Sequence, residues 1–370
     1  MRRRIAIPVA FAQATATPTA TGPMAIASVR AWRLREPDSS RRYTIVRVTS
    51  QSGVSGFGEG GIIRAVDFAE AKALIGQRAT AVEFVRSKFA AIPTLEAALS
   101  NAMLDLAARV AGVPLYQYLG GPVRFKVRLM ARLSESTQVR EAQDNGYRSF
   151  TLAVPPRESM SRLQAYVDSI RTRLEDFKKL AGTDAELVLD GAGALLPGDA
   201  AVVARAMEPA HPIWFDEPTS VLSRDALSRI ADESTMAVGL GRSIHNIGDF
   251  QNLVRLGCVD ILRPGLSLNS AHKIRRIAAI AETHYIAVAP YHDGGPLATI
   301  TGVHLGASVS NFYTQEVPVP TSSRDRAMRA EILGGFVERP VNGFMPLMNQ
   351  PGLGIRLDES ALARYSEEVL

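Results

Sequence analysis

Six positions in the second half of the chain recur at a nearly constant spacing and include groups that could do chemistry. The steps between them are 26, 26, 23, 26 and 25 residues, and the positions are Asp190, Asp216, Arg242, Gly265, Tyr291 and Glu316. Carboxylates and the neighbouring His292 can transfer protons, and a guanidinium can hold an anion through paired hydrogen bonds. A repeat near 25 residues has room for one strand, one helix and two loops, which predicts that these positions meet at one end of a parallel sheet.

Short apolar runs beyond Gly121 supply the strands that such a sheet needs, and stretches with helical periodicity separate them. Continuous apolar runs are typical of parallel strands that helices cover on the outside. We therefore predict the α/β class and a (β/α)8 TIM-type barrel, whose catalytic groups stand at the carboxyl ends of the strands. The eight runs are Val127–Ala131, Phe150–Val154, Leu187–Leu189, Ile213–Phe215, Ala237–Leu240, Ile261–Leu262, Ile286–Ala289 and Phe312–Thr314.

The segment before this repeat has a different pattern. Between residues 24 and 59, runs of alternating apolar and polar residues are separated by turn residues, which predicts a small antiparallel sheet. From about Ala65 to Val110 the apolar residues recur at three- and four-residue spacing, which predicts helices. Together these patterns predict an N-terminal α+β domain.

Composition and charge exclude several classes of protein. The chain has 370 residues, 46% of them hydrophobic and 21% charged, and its mean hydropathy is +0.02. This excludes a disordered, collagenous or disulfide-rich chain, and no apolar run reaches the roughly 18 residues that span a bilayer. The net charge is 42 − 37 = +5, but three arginines lie in residues 1–23, and the remaining 39 − 37 = +2 is spread evenly. We therefore expect neither nucleic acid nor a membrane as a partner.

Residues 1–23 form a segment of their own. Three arginines precede a short apolar stretch and a Thr/Ala/Pro tract, a pattern similar to a shortened export signal or to a disordered tail. The lone Cys258 excludes an intramolecular disulfide and says little about the compartment. The expected location is the cytoplasm, or the periplasm if this segment directs export.

Several motifs resemble the mandelate racemase and muconate-lactonizing branch of the enolase superfamily. They are the helix-like run Asn101–Gly121, Trp214-Phe-Asp-Glu-Pro218, the run Val288–Pro296 followed by His304, Asn311-Phe312, and Pro351-Gly-Leu-Gly-Ile355. The resemblance covers residues 24–370. It implies a capping domain over residues 24–122, the barrel over residues 123–320, and a C-terminal segment, residues 321–370, that returns to the cap. It also implies a specificity loop near residues 36–42 and self-association into a homo-oligomer.

The resemblance further implies a reaction: abstraction of the proton α to a carboxylate, with Mg²⁺ stabilising the enediolate, as in racemases, dehydratases and cycloisomerases. The substrate would be a small carboxylate such as a sugar acid. Two metal-ligand positions fall on Asp190 and Asp216, but the third falls on Arg242, which cannot bind Mg²⁺. An alternative is that Arg242 itself occupies the place of the cation and bonds both carboxylates.

The family's proton-transfer positions are altered as well. Its two strand-two lysines fall on Thr151 and Ala153, and its His–Asp dyad falls on Tyr291 and Gly265. Glu316 matches an acid that polarises the substrate carboxylate.

We therefore treat His292, Tyr291, Thr151 and Glu316 as catalytic candidates, and Arg242, Arg263 and Arg132 as substrate-binding candidates. Three interpretations remain: an Mg²⁺-dependent enzyme, a metal-independent enzyme in which Arg242 grips the substrate carboxylate, and a catalytically silent barrel that binds a small acid.

Overall fold

The structure is a computed structural model, and it describes residues 20–155, 157, 162–182, 184–220 and 224–370. The export-signal prediction for residues 1–23 therefore lies almost entirely outside the described residues. The strands are β1 (Ile26–Arg35), β2 (Arg42–Ser50), β3 (Ser55–Gly60), β4 (Lys126–Leu133), β5 (Ser149–Ala153), β6 (Glu186–Asp190), β7 (Phe215–Asp216), β8 (Val238–Leu240), β9 (Ile261–Leu262), β10 (Ala287–Val288), β11 (Gln315–Pro318), β12 (Phe344–Pro346) and β13 (Ser366–Val369).

A helix follows each of the eight strands from β4 to β11. The helices of the chain are α1 (Ala65–Phe68), α2 (Val82–Lys88), α3 (Pro93–Val110), α4 (Leu115–Tyr118), α5 (Val139–Asp144), α6 (Leu163–Ala181), α7 (Pro197–Met207), α8 (Arg224–Glu233), α9 (Ile247–Leu256), α10 (Ala271–Glu282), α11 (Pro296–Ser308), α12 (Ser323–Ile332) and α13 (Glu359–Tyr365). Within the described ranges, no helix is both long enough and apolar enough to cross a membrane.

Strands β4 to β11 form the predicted barrel. They pair in parallel, in the order β10-β9-β8-β7-β6-β5-β4-β11. Parallel bridges between Val288 and Phe312 and between Tyr291 and Glu316 close the circle. Most apolar side chains of these strands and their helices form one large core, and five residues at the strands form a smaller separate cluster: Met130, Val188, Trp214, Ile261 and Ala289. The prediction of a TIM-type barrel with an N-terminal cap is confirmed.

The eighth strand lies later in the chain than predicted. Strand β11 covers Gln315–Pro318 instead of Phe312–Thr314. Glu316 therefore stands inside a strand and not just after one, and it pairs in register with Met130 of β4.

The cap is a four-stranded antiparallel sheet in the order β13-β1-β2-β3, with α3 packed against β3. Gly56, Gly58 and Gly60 alternate along β3 and face the backbone of α3, where any side chain would overlap carbonyl oxygens of the helix. The small residues of β3 thus let α3 lie directly on the sheet. Strand β13, at the C-terminus, completes this sheet beside β1.

Candidate active site

Three carboxylates and three guanidinium groups meet at the carboxyl end of the barrel. Asp190 and Asp216 are the last residues of β6 and β7, and Glu316 lies in β11. The arginines come from three other strands: Arg132 stands near the end of β4, Arg242 two residues after β8, and Arg263 directly after β9. Because parallel strands end at the same edge, residues far apart in sequence form one compact network.

Arg242 contacts all three carboxylates. Its Nη1 donates to Asp190 Oδ2 at 2.7 Å, and its Nη2 donates to Glu316 Oε1 at 2.8 Å. Its Nε lies 3.1 Å from Asp216 Oδ2, an ion-pair contact whose angles do not satisfy a hydrogen bond. The guanidinium therefore stands between Asp190 and Asp216, the two acids that the family resemblance places at metal-ligand positions.

The other two arginines complete the network. Arg263 is fully buried, and it donates from Nε to Asp216 Oδ1 at 2.8 Å and from Nη2 to Glu316 Oε2 at 2.5 Å. Arg132 donates from Nε to Glu316 Oε1 at 2.5 Å and bonds the exposed Asp293 through Nη1. Glu316 is thus bonded by three arginines.

The pKa values follow from this arrangement. Burial alone would raise the pKa of Glu316, but Arg132, Arg242 and Arg263 outweigh burial and hold it well below its usual value. For Asp190, burial dominates over the contact with Arg242 and raises the pKa. The pKa of Arg242 lies well above its usual value, because attraction to Glu316, Asp216 and Asp190 outweighs burial. Both Arg242 and Glu316 are therefore charged at neutral pH.

This donor set does not fit Mg²⁺. Magnesium prefers octahedral oxygen ligands, whereas Arg242 places a permanent positive charge and only hydrogen-bond donors between Asp190 and Asp216. The described residues also contain no cluster of three acids, histidines or cysteines arranged to hold a metal ion.

Tyr291 lies among the three arginines. The guanidinium carbons of Arg242, Arg132 and Arg263 are 5.0, 5.5 and 5.9 Å from the centre of its ring. Its hydroxyl donates to the backbone oxygen of Arg242 at 2.9 Å. Burial raises the pKa of Tyr291 to about 12 even though the arginines act in the opposite direction.

His292 is fully buried behind this network. Its Nε2 lies 3.0 Å from Thr299 Oγ1, and its Nδ1 has no hydrogen-bond partner among the described residues. Burial lowers the pKa of His292 well below its usual value, and the nearby arginines Arg329, Arg41 and Arg132 lower it further. Its imidazole is therefore neutral at physiological pH.

Thr151 hydrogen-bonds Glu316 and is not a separate reactive group of the site. Its hydroxyl donates to Glu316 Oε2 at 2.9 Å and is fully buried. Glu135, which follows β4 at the same end of the barrel, pairs with Arg173 at 2.7 Å on the surface and does not join the network.

Two further acids have roles that become visible only in the structure. Glu217 Oε1 accepts hydrogen bonds from the backbone amides of Gly241 and Arg242 at 2.7 and 2.8 Å, which fixes the turn that carries Arg242.

Glu59 extends from the cap to the first turn of α11 and accepts hydrogen bonds from Gly295, Leu297 and Ala298. The signal for Glu59 in the sequence is a single acid at the end of a glycine-rich strand.

The fold and this site define a capped (β/α)8 barrel whose mouth is built from ion-paired arginines and carboxylates. Residues 24–120 match the family model described as the N-terminal domain of mandelate racemase and muconate-lactonizing enzyme. Residues 135–361 match the one described as enolase C-terminal domain-like. The chain belongs to the mandelate racemase and muconate-lactonizing branch of the enolase superfamily.

Relatives of known name are distant but match over most of their length. A D-galactonate dehydratase of Verminephrobacter eiseniae is 25% identical over 350 residues, which cover 88% of this chain and 92% of the relative. A D-mannonate dehydratase of Caulobacter vibrioides is 23% identical, with coverage of 88% and 91%.

A crystal structure of a mandelate racemase/muconate lactonizing enzyme-like protein from Rubrobacter xylanophilus superposes with a TM-score of 0.83 at 24% identity, covering 94% of this chain and 98% of that one. An enolase from Agrobacterium radiobacter, bound to sodium and L-malate, superposes with a TM-score of 0.81 at 23% identity, covering 93% and 95%. These likenesses support the fold.

Proposed function

We propose that this protein is a metal-independent enzyme that acts on a small sugar acid by moving the proton α to its carboxylate. The observation that carries the proposal is the Arg242 guanidinium between Asp190 and Asp216. A fixed guanidinium can attract the anionic carboxylate and stabilise the charge that develops on it, as a metal ion does elsewhere. The names of the dehydratase relatives support a sugar acid as the substrate class.

Tyr291 is the residue that we assign to the proton transfer. Its phenol stands at the mouth, partly exposed, with three guanidinium groups around its ring. In the proposed step, the Tyr291 phenol first loses its proton to solvent, and the resulting phenolate oxygen accepts the proton of the substrate Cα–H bond. The electron pair of that bond moves onto the substrate carboxylate as an enediolate, and a proton returned to Cα completes the exchange. His292 is fully buried and burial lowers its pKa, which makes it a weak base, and the three carboxylates are paired with arginines, so these groups are less suited to accept this proton.

Exchange of the α-proton with solvent tests this step. The protein is incubated with a library of sugar acids in deuterium oxide, and mass spectrometry measures deuterium uptake. Because the pKa of Tyr291 is about 12, we expect the exchange rate to rise about tenfold per pH unit between pH 7 and 10. Tyr291→Phe should abolish exchange, whereas Tyr285→Phe, at a fully exposed tyrosine, should leave it unchanged. Exchange that survives in Tyr291→Phe would contradict the assignment.

Metal analysis tests the role of Arg242. We expect the purified protein to contain no stoichiometric Mg²⁺ and to show no thermal shift with added Mg²⁺. Arg242→Glu restores the third carboxylate and should create Mg²⁺ binding, whereas Arg242→Gln removes the same charge without adding a ligand and should not. Stabilisation of the unaltered protein by Mg²⁺ would overturn the metal-independent mechanism.

A catalytically silent acid-binding barrel is a second candidate. The observation that favours it is that Asp190, Asp216 and Glu316 are all engaged by arginines, which leaves none of them free as a base. This candidate predicts saturable binding of a sugar acid with no deuterium uptake at any pH.

A further inference from the structure

Glu217 follows the end of β7 in a backbone conformation that glutamate seldom adopts. Its φ is +42°, in the left-handed region, where a residue with a side chain is strained. Two backbone hydrogen bonds hold it there: its amide donates to the oxygen of Gly239 in β8 at 2.8 Å, and its oxygen accepts from the amide of Gly193, after β6, at 2.7 Å. Strain that the neighbouring chain maintains in this way tends to occur at positions with a function.

The side chain of Glu217 extends to the turn after β8. Its Oε1 accepts hydrogen bonds from the amides of Gly241 and Arg242, at 2.7 and 2.8 Å. Glu217 is buried, and a buried backbone donor that loses its acceptor destabilises the conformation around it. One carboxylate oxygen therefore keeps this turn in place.

Tyr291 holds the same turn by a different atom. Its hydroxyl donates to the backbone oxygen of Arg242 at 2.9 Å. Glu217 thus bonds the N–H of Arg242, and Tyr291 bonds its C=O. From this turn the Arg242 guanidinium extends to the three carboxylates of the network. A displaced turn would therefore move the guanidinium and release the phenol.

We propose that Glu217 is a positioning residue, which keeps Arg242 and Tyr291 in the arrangement that the reaction needs by fixing the turn between them. Glu217 does not contact the reacting atoms in this proposal, and it acts only through the backbone of Arg242. The inference rests on the proposed function, because that function assigns the substrate carboxylate to Arg242 and the proton to Tyr291. Misplacement of such groups by about 1 Å can lower a rate about 100-fold.

The ionisation of Tyr291 reports this arrangement without any substrate. Because the neutral phenol donates the hydrogen bond to Arg242, loss of that bond should lower the pKa of Tyr291, by about one unit. The full chain, labelled with ¹³C at tyrosine Cζ, is titrated by NMR, and Tyr291→Phe identifies the signal. At pH 11 we expect roughly a tenth of Tyr291 to be ionised in the unaltered protein and about half in Glu217→Ala.

Glu217→Gln tests whether the hydrogen bonds, and not the charge, carry this effect. The amide oxygen of glutamine can accept the same two bonds, so the ionised fraction of Tyr291 should match that of the unaltered protein. Deuterium uptake at pH 9 should also stay within about threefold in Glu217→Gln. In Glu217→Ala it should fall about tenfold, because misplacement costs about 100-fold and the lower pKa of Tyr291 supplies about tenfold more phenolate.

Asp105 provides the matched control for a loss of stability alone. Like Glu217, it is a buried carboxylate that accepts two backbone amides, those of Phe57 and Leu353, but it lies in α3 of the cap. Asp105→Asn should lower Tm without changing the ionised fraction of Tyr291. If Glu217→Ala does not fold, Glu217→Asp decides the question. Its side chain is one methylene shorter and cannot reach both amides, so Tyr291 should again ionise at lower pH.

An unchanged ionised fraction of Tyr291 in Glu217→Ala or Glu217→Asp would overturn the inference and leave the proposed function standing. A change of the same size in Glu217→Gln or Asp105→Asn would also overturn it, because Tyr291 would then report a lost charge or a lost stability. Absence of deuterium uptake by the unaltered protein would overturn the proposed function, whereas the NMR titration would still decide whether Glu217 positions the turn.

Discussion

At the scale of single residues, buried charges at the carboxyl end of the barrel are stable only because each lies beside a group of opposite charge. Arg263 and Glu316 are fully buried, and removal of one member of such a pair costs several kcal/mol because the partner charge is left without compensation. Asp190, Asp216 and Glu316 balance the charges of the three guanidinium groups, and Asp293, which also pairs with Arg132, adds a fourth carboxylate, so the network carries no net positive charge. Any attraction of a ligand carboxylate must therefore come from individual guanidinium groups, such as the partly exposed Arg242 and Arg132, and not from a net positive charge of the network.

Glu59 links the cap to the barrel and should make stability depend on pH. Burial raises the pKa of Glu59 from 4.5 to about 7, although the amides of Gly295, Ala298 and Leu297 and the charge of Arg329 oppose the shift. Because the folded-state pKa is the higher one, the folded protein binds more protons between pH 4.5 and 7. This contribution to stability is complete below pH 4.5 and is lost as pH rises through 7, by roughly 3 kcal/mol.

Chemical denaturation between pH 4 and 8 measures this effect. Glu59→Gln keeps one acceptor oxygen for α11 but cannot ionise, so its free energy of unfolding should fall less steeply with pH than that of the unaltered protein. Glu217, whose pKa burial also raises to about 7, should supply part of the remaining slope. Identical slopes for the two proteins would show that Glu59 does not titrate in this range.

At the scale of elements, local sequence patterns predicted most strands, because parallel strands covered by helices must be apolar. Strand β9 falls at Ile261–Leu262, as predicted, whereas β11 was predicted three residues too early. The reason is that Gln315 and Glu316 look like loop residues in the sequence. Both are fully buried. Arginines from β4, from the turn after β8 and from the position after β9 compensate Glu316, and Gln315 donates to the backbone oxygen of Ala298, and no local sequence pattern indicates these distant partners.

The sequence likewise predicted only part of the candidate active site. The regular spacing placed Asp190, Asp216 and Arg242 together, because each follows its own strand. The sequence could not predict whether Tyr291 or His292 faces the mouth of the barrel, since an offset of one residue at a strand end decides which side chain does so. In the structure Tyr291 meets the arginines, and His292 is buried against Thr299.

The contact between β3 and α3 gives a prediction at the scale of elements. A methyl group at Gly58 would overlap the carbonyl oxygen of Ala98, which belongs to the helix backbone and cannot rotate away. We expect Gly58→Ala to destabilise the protein by about 1–3 kcal/mol or more, because overpacking forces the helix off the sheet.

Thermal and chemical denaturation measure this change. Gly198→Ala is the matched control, since Gly198 lies in helix α7 with no atom within 4 Å of the added carbon. The control should be neutral or slightly stabilising, because alanine has less conformational freedom than glycine in the unfolded chain. Equal stability of both variants would contradict the close packing of α3 on β3.

At the scale of the whole molecule, the cap is joined to the rest of the chain at several separate places. Asp105 of α3 accepts hydrogen bonds from the amide of Phe57 and from that of Leu353 near the C-terminus. His304 of α11 accepts from the amide of Tyr116 and bonds the backbone oxygen of Leu353. Burial lowers the pKa of His304 to about 4, so this link is neutral and persists across the physiological pH range. Cap and barrel should therefore unfold together.

Removal of residues 366–370 tests this coupling. Strand β13 pairs with β1, and Leu370 exchanges two backbone hydrogen bonds with Ala31, so the truncation exposes one edge of the cap sheet. We expect Tm to fall by about 5 °C or more while calorimetry still records one transition, since the contacts of Glu59, Asp105 and His304 remain. The control Glu367→Gln with Glu368→Gln removes only partly exposed ion pairs and should change Tm little. A separate, earlier transition of the cap in the truncated protein would show that β13 is the main link between the two domains.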